Sequence, residues 1–215
     1  MPRLVLFISS QLLLLLLLSG CGNDTSSLSL PALSADATIL AFGDSITYGT
    51  GAKQDQSYPR QLANKIDRRV INAGVPGETT QGGLKRLPET LATTDPDLVI
   101  LCLGGNDFLK RMDYAVTRSN LAAMLSLLKE QDIPVVMMAV PKFGIGVTGN
   151  LSAHKMYADL GKEFGVIVEN DIISDVLSDG ALKADPIHPN GKGYAEIADT
   201  LANLLAKHSA IGSSF

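Results

Sequence analysis

The chain alternates short apolar runs with longer segments of helical periodicity. Five apolar runs are bounded by turn-forming residues: TILAF (38–42), RVINA (69–73), DLVILCL (97–103), PVVMMAV (134–140) and GVIVEN (165–170). Their apolar residues are consecutive rather than alternating with polar ones, which is typical of strands buried on both faces of a parallel sheet. The pattern therefore predicts five parallel strands.

Amphipathic stripes between these runs predict helices. One such stripe, between the third and fourth runs, consists of Leu121, Met124, Leu125 and Leu128; stripes of this width usually face a protein core. Pro88 lies between the second and third runs, where we expect it to bend or restart the helix. The alternation of predicted strands and helices along the chain predicts right-handed crossovers. It also predicts a three-layer α/β/α sandwich with the flavodoxin-like strand order 2-1-3-4-5.

Polar loops follow the first three predicted strands. They read GDSITYG (43–49), GVPGETT (74–80) and GGNDFLKR (104–111), and a further candidate, ADPIHPNGKG (184–193), precedes the last helix. In sheets of this class, ligands bind beyond the carboxyl ends of the strands, near the point where the strand order reverses. We therefore expect the functional site among these loops.

Composition narrows the class of protein. The 215 residues carry a net charge of -4, with no Trp and 5% aromatic residues, whereas nucleic-acid-binding proteins usually show a basic excess or stripe. No nucleic-acid partner is expected. The length suits a single domain with a sizeable core, and we expect a monomer.

The N-terminal sequence MPRLVLFISSQLLLLLLLSGCGNDTSS has the layout of a secretory signal. Its apolar stretch (4–18) is short for a membrane span, which needs about 20 apolar residues. LSGC (18–21) resembles the lipobox of bacterial lipoproteins, which implies cleavage before Cys21 and acylation of that residue. Gly22, where an aspartate would favour the inner membrane, implies an outer-membrane anchor facing the periplasm of a Gram-negative cell. An ordinary signal peptide with an accidental cysteine is the alternative.

These features divide the chain into four parts. They are a lipoprotein signal peptide (1–20), the acylated Cys21 with a flexible tether (21–36), a folded domain (37–208) and a C-terminal tail (209–215). Cys21 and Cys102 are the only cysteines of the sequence, so no intramolecular disulfide is expected if Cys21 carries lipid. Cys102, within LVILCLGG, is typical of a small buried hydrophobic residue.

Ser45, in the loop after the first strand, fits three interpretations: part of a phosphate-binding loop, a helix cap, or a nucleophile. A P-loop needs a Gly-Lys-Ser/Thr ending and a dinucleotide fingerprint needs three spaced glycines, and GDSITYG has neither. Flavin binding by a Ser/Thr-rich loop has no specific support. Asp44 or Ser45 can cap a helix. Capping is compatible with the third interpretation, a nucleophile, because N–H groups at a helix start can bind an oxyanion.

DPIH, before the last helix, places Asp185 three residues ahead of His188. Histidine is the natural general base near neutral pH, and a carboxylate on its other ring nitrogen holds it in one tautomer. The alternative for an isolated pair of this kind is a surface ion pair. No metal site is expected, since His154 and His208 show no ligand spacing.

Four segments together resemble the sequence blocks of the GDSL/SGNH hydrolases, in the same order. They are FGDSITYG, NAGVPGETT, LGGNDFLKR and DPIHPN. GLKRLP (83–88) also resembles a segment of the bacterial periplasmic thioesterase, lysophospholipase and arylesterase branch. The resemblance covers about residues 37–208, and it implies the sandwich fold and hydrolysis of esters.

The resemblance also implies roles for individual residues. Ser45 matches the nucleophile, His188 its base and Asp185 the carboxylate that orients the base. The backbone N–H groups of Ser45 and Gly77 and the side chain of Asn106 match the oxyanion hole. Such a site needs no metal or organic cofactor. Asp44 and Asp107 are expected to brace the loops by hydrogen bonds.

Two segments are expected to border the substrate. FLKRMDY (108–114) contributes Phe108 and Leu109, and KFGIGVTGN (142–150) contributes Phe143 and Ile145. The expected substrates are short to medium acyl or aryl esters, with thioesters and lysophospholipids as further candidates. A carbohydrate O-acetyl esterase of the cell envelope is the alternative enzyme, and a non-catalytic binding lipoprotein is the alternative of another class.

Overall fold

A computed structural model describes residues 28–142 and 151–212 of the chain. The predicted signal peptide, Cys21 and the predicted substrate contacts Phe143 and Ile145 lie outside the described residues.

Within the described residues, five parallel strands form one sheet. They are β1 (Thr38–Gly43), β2 (Arg69–Gly74), β3 (Leu98–Cys102), β4 (Val135–Met138) and β5 (Ile167–Glu169). Their order in the sheet is β2-β1-β3-β4-β5. Gly43 pairs with both Gly74 and Cys102, so the carboxyl ends of the three strands on this side of the sheet meet at one edge. The predicted strand order and fold class are confirmed.

Helices connect the strands. They are α1 (Ser45–Tyr48), α2 (Tyr58–Ile66), α3 (Thr80–Thr94), α4 (Gly105–Leu109), α5 (Tyr114–Glu130), α6 (Met156–Phe164), α7 (Ile172–Ser178) and α8 (Gly191–Lys207), with a 3-10 turn at Gln54–Gln56. The predicted stripe of α5 is buried along its length.

Pro88 does not restart α3, one of the two effects expected of it. The helix runs without a break from Thr80 to Thr94, although a proline removes one helical hydrogen bond. Leu87 and Leu91 are almost completely buried on either side of it. Their packing against the core offsets the lost hydrogen bond.

Three tyrosines, Tyr58, Tyr157 and Tyr194, are completely buried and hold loops at the carboxyl edge of the sheet. The Tyr58 hydroxyl lies 3.1 Å from Thr47 Oγ1. The other two donate to backbone carbonyls, Tyr157 to Leu103 at 2.8 Å and Tyr194 to Thr50 at 2.7 Å. Core side chains therefore hold the segments around α1 and after β3.

The folded domain extends beyond both of its predicted limits. Leu30 and Leu33, expected in a flexible tether, are 8% exposed, and their N–H groups donate to the carbonyls of His208 and Ala210. Ala210, expected in the tail, is completely buried. The predicted limits were wrong because the two ends pack on each other, a contact that local composition does not indicate. None of the helices within 28–142 and 151–212 is long and apolar enough to cross a membrane.

Candidate active site

Ser45 lies at a sharp transition from strand to helix. β1 ends at Gly43, and the Asp44 carboxylate accepts a hydrogen bond from the Ile46 N–H at 3.0 Å. Asp44 is therefore the cap of α1, and the Ser45 hydroxyl is not used for capping. A side chain at Gly43 would lie 2.2 Å from Thr47 Oγ1, so this transition requires a glycine.

Ser45, His188 and Asp185 form one chain of hydrogen bonds. His188 Nε2 lies 3.0 Å from Ser45 Oγ, and His188 Nδ1 lies 2.7 Å from Asp185 Oδ2. The sequence separation between the serine and the histidine is 143 residues. The structure therefore brings together, in this order, the three residues predicted to be the nucleophile, the base and the orienting carboxylate.

The loop before α8 fixes this geometry locally. Asp185 Oδ1 accepts from the backbone N–H groups of Ile187 and His188, at 2.8 and 2.9 Å. Burial raises the pKa of Asp185, but its hydrogen bonds with His188 and Ile187 outweigh burial and hold that pKa below its ordinary value. Asn190 then caps α8 by accepting from Lys192 and Gly193. Asp185 is therefore ionised at neutral pH and able to stabilise a protonated His188.

Asn106 enters the site from the start of α4. Gly104 precedes it with φ +118, and a side chain there would lie 2.3 Å from the Tyr157 hydroxyl. Asn106 Nδ2 donates to Asp44 Oδ2 at 3.1 Å. An amide nitrogen carries two hydrogens, so Asp44 orients the amide and leaves the second N–H available. Asp107 is completely buried and accepts from the N–H and hydroxyl of Thr80.

Asp44 is itself an unusual carboxylate. It is 2% exposed. Burial raises its pKa to about 6, against the opposing effects of the Ile46 N–H, the His188 charge and the Asn106 amide. Both predicted bracing residues, Asp44 and Asp107, thus link one loop of the site to another.

Gly77 lies in a tight turn after β2. The Glu78 N–H donates to the Val75 carbonyl at 3.1 Å, Pro76 occupies the second position and Gly77 has φ +78. These are the requirements of a type II turn. The turn's hydrogen bond uses the N–H of Glu78, so that of Gly77 remains available. The Val75 N–H donates to the Gly43 carbonyl at 3.0 Å, which places this turn beside the Ser45 loop.

A shallow cleft opens at Ser45, Asn106 and His188. Leu109, 43% exposed, lines this cleft. Phe108 does not: it is 4% exposed and packs on Tyr114 and His154, with ring centroids 5.5 Å away in both cases. The prediction of substrate contact by Phe108 was wrong because the sequence of a five-residue helix does not show which side is buried.

Two isoleucines in the cleft wall were missed. Ile46 and Ile187 both line the cleft. Ile187 lies inside the DPIH motif, between Asp185 and His188. This position in the sequence was an indication that its side chain borders the site. Ile46 is 3% exposed, so Ile187 and Leu109 supply the apolar side chains of the cleft wall.

Comparison with known proteins connects this geometry to a family. Residues 41–196 match the GDSL-like Lipase/Acylhydrolase family. The chain belongs to this family. An arylesterase of Vibrio mimicus is 32% identical over 186 residues, covering 82% of this chain and 92% of the relative.

Two other relatives support the membership in the GDSL-like family. The thioesterase 1/protease 1/lysophospholipase L1 of Escherichia coli K12 is 33% identical over 178 residues, covering 81% of this chain and 85% of the relative. The psychrotrophic esterase EstA from Pseudoalteromonas, in a structure inhibited by monoethylphosphonate, superposes with a TM-score of 0.69 at 26% identity. That match covers 80% of this chain and 98% of EstA. The predicted family, fold and enzyme class, a hydrolase of carboxylic esters, are confirmed.

Proposed function

We propose that this GDSL-family protein hydrolyses short to medium acyl or aryl esters through an acyl-enzyme on Ser45. The observation that supports this most directly is the continuous chain of contacts from Ser45 Oγ through His188 to Asp185, with distances of 3.0 and 2.7 Å. A non-catalytic binding protein has no need of a serine in contact with an oriented base.

The reaction begins with attack of Ser45 Oγ on the ester carbonyl carbon. His188 Nε2 takes the hydroxyl proton as the new C–O bond forms, and the ionised Asp185 stabilises the resulting imidazolium. His188 then gives this proton to the leaving alcohol, and the bond between the carbonyl carbon and the alkoxide oxygen breaks. Water attacks the acyl-enzyme by the same route and releases the carboxylic acid and free Ser45.

The negative charge of the tetrahedral intermediate requires hydrogen-bond donors. We assign the Ser45 N–H at the start of α1, the Gly77 N–H in the turn after β2, and the second N–H of Asn106. Each such donor typically contributes about 3 kcal/mol to lowering the barrier. These donors are part of the fold before substrate binds, so they cost no reorganisation during the reaction.

A serine-directed label tests the nucleophile. A fluorophosphonate probe should label the wild type and leave Ser45→Ala unlabelled. Ser119→Ala, which changes an exposed serine on α5, is the matched control and should label like the wild type. Absence of labelling in correctly folded wild type, or labelling of Ser45→Ala, would contradict the assignment.

Substrate range is tested by a series of p-nitrophenyl esters and acyl-CoA thioesters of increasing acyl length. The apolar side chains of Leu109 and Ile187 favour acyl chains longer than acetyl. We expect kcat/KM to rise from acetate to butyrate or hexanoate and then to fall, because the cleft is shallow. A maximum at acetate with little activity on longer chains would instead indicate an O-acetyl esterase.

We further propose that the enzyme is a monomer held by lipid on Cys21 to the periplasmic face of a bacterial outer membrane. The LSGC segment at 18–21 supports this assignment. Metabolic labelling with a palmitate analogue should mark the wild type but not Cys21→Ser, and membrane fractionation should show the same difference. Label retained by Cys21→Ser would refute acylation at this position.

A further inference from the structure

Arg86 joins the loops that carry two of the proposed oxyanion donors. Its side chain projects from the second turn of α3 and is 24% exposed. The guanidinium forms a fork with the Glu78 carboxylate: Nε lies 2.8 Å from Oε1, and Nη2 lies 2.6 Å from Oε2. The Glu78 side chain is only 8% exposed. Because Glu78 directly follows Gly77, this pair fixes one end of the type II turn.

The Arg86 guanidinium also binds backbone carbonyls at the carboxyl ends of β1 and β2. Nη2 donates to the carbonyl of Ala73 at 2.8 Å and to that of Gly43 at 3.2 Å. Ala73 leads into the Gly77 turn, and Gly43 is two residues before Ser45. The guanidinium carbon lies 3.9 Å from the centre of the Phe42 ring, which holds the group over the end of β1. One side chain therefore contacts both loops.

We propose that Arg86 is a positioning residue that holds the Ser45 and Gly77 backbone N–H groups at the spacing required to bind one oxyanion. The inference rests on the proposed function, because it concerns the same oxyanion site. Arg86 has no contact with Ser45 or His188 among its described hydrogen bonds, so it acts through the loops. A lysine cannot replace it fully, since a single ammonium lacks the planar fork that binds carboxylate and carbonyls together.

Three variants test whether Arg86 acts by positioning the two loops or by its charge. Arg86→Met keeps an apolar stem over Phe42 and removes every hydrogen bond of the guanidinium. Arg86→Met/Glu78→Gln also removes the carboxylate that the first variant leaves unpaired. Arg86→Lys retains the charge. Arg118→Met is the matched control, because Arg118 also pairs with a glutamate, Glu163, but both of these side chains are more than 40% exposed.

The assay measures kcat and KM on p-nitrophenyl butyrate at a temperature at which circular dichroism shows each variant folded. We expect Arg86→Met to lower kcat on the order of 10- to 100-fold, since displacements of about 1 Å at a catalytic site have effects of this size. KM should change less than about threefold, because a donor that binds the transition state is affected rather than ground-state binding. The midpoints of the pH–rate profile should not move, because His188 and Asp185 are untouched.

The other variants decide between positioning and charge. The double variant should remain impaired about as strongly as Arg86→Met, because the contacts with Ala73 and Gly43 are still absent. Arg86→Lys should lose about 3- to 10-fold in kcat, since lysine keeps the charge without the fork. Arg118→Met should be within about twofold of the wild type, as is typical of exposed ion pairs.

Three outcomes would overturn the proposal that Arg86 positions the two loops. Folded Arg86→Met with wild-type kcat refutes it, and so does full recovery in the double variant, which would assign the effect to the unpaired Glu78 charge. If Arg86→Met does not fold, Arg86→Lys decides: a wild-type kcat refutes positioning, and a reduced kcat with unchanged KM supports it. Wild-type turnover by Ser45→Ala would instead refute the proposed function, so the two failures are distinguishable.

Discussion

Replacement of Asp44 by asparagine should make the protein more stable at neutral and alkaline pH, although Asp44 lies beside Ser45, the proposed nucleophile. Asp44 is 2% exposed, and its pKa is raised to about 6 by burial, whereas an aspartate in an unfolded chain titrates near 3.9. The folded state therefore binds this proton more tightly than the unfolded state. The stabilisation from the protonated carboxyl is complete below about pH 4 and is lost as the pH rises through 6.

The magnitude follows from the two pKa values. Each pKa unit corresponds to about 1.4 kcal/mol, so ionisation of Asp44 in the fold costs roughly 3 kcal/mol at pH 8 relative to pH below 4. The neutral asparagine side chain of the Asp44→Asn variant would have no such cost. The variant would lose one hydrogen bond, because the new amide nitrogen faces that of Asn106, and this adds an offset of about 1 kcal/mol that does not depend on pH.

Urea unfolding followed by circular dichroism, from pH 3.5 to 8, measures the difference. The free energy of unfolding of Asp44→Asn minus that of the wild type should rise by roughly 3 kcal/mol over this range, with most of the change between pH 4 and 6. The difference removes the contribution of all carboxylates that the two proteins share. A difference that stays constant with pH, or that falls as the pH rises, would refute the assignment of a raised pKa to Asp44.

Further predictions concern the oxyanion hole, the thiol and two glycines. Asn106→Ala should lower kcat on p-nitrophenyl butyrate by about 10²- to 10³-fold with little change in KM, and a loss below about threefold would exclude Asn106 as a donor. Cys102 is completely buried and burial raises its pKa well above the ordinary thiol value, so Ellman's reagent should react with it in urea and not in buffer. Gly104→Ala, whose new methyl group would lie 2.3 Å from the Tyr157 hydroxyl, should destabilise the fold by roughly 2–5 kcal/mol in urea titrations. Gly165→Ala, with positive φ but open space, should cost only about 1–2 kcal/mol, and equal losses would contradict the steric argument.

The sheet could be predicted because β1, β3 and β4 are buried on both faces and therefore appear as apolar runs. The short helices could not. The seven residues of α7 complete only two turns, too few to establish a helical period, and that helix was not predicted. The packing of Leu30 against the end of α8 also has no local signature, since it joins the two ends of the described chain.

The meeting of Ser45, Asn106 and His188 at one cleft was predictable, because the proposed chemistry requires particular residue types in particular loops. The site was not predictable where a residue's role depends on the direction in which its side chain points. Phe108 and Leu109 are neighbours in sequence, yet one is buried and the other lines the cleft. Arg86 is a charged residue on an amphipathic helix, a pattern that usually indicates contact with solvent; its contacts with Glu78, Ala73 and Gly43 follow only from the folded chain.

The three buried tyrosines have a consequence for engineering substrate selectivity. Tyr58, Tyr157 and Tyr194 hold the loops of the site from the interior, where no substrate can touch them. Side-chain changes at Leu109 and Ile187, on the open side of the cleft, should therefore alter acyl preference while these loops stay in place. Changes at the tyrosines would slow all substrates alike. A selection for new acyl preference should accordingly enrich substitutions in the cleft wall and leave the hydroxyls beneath it intact.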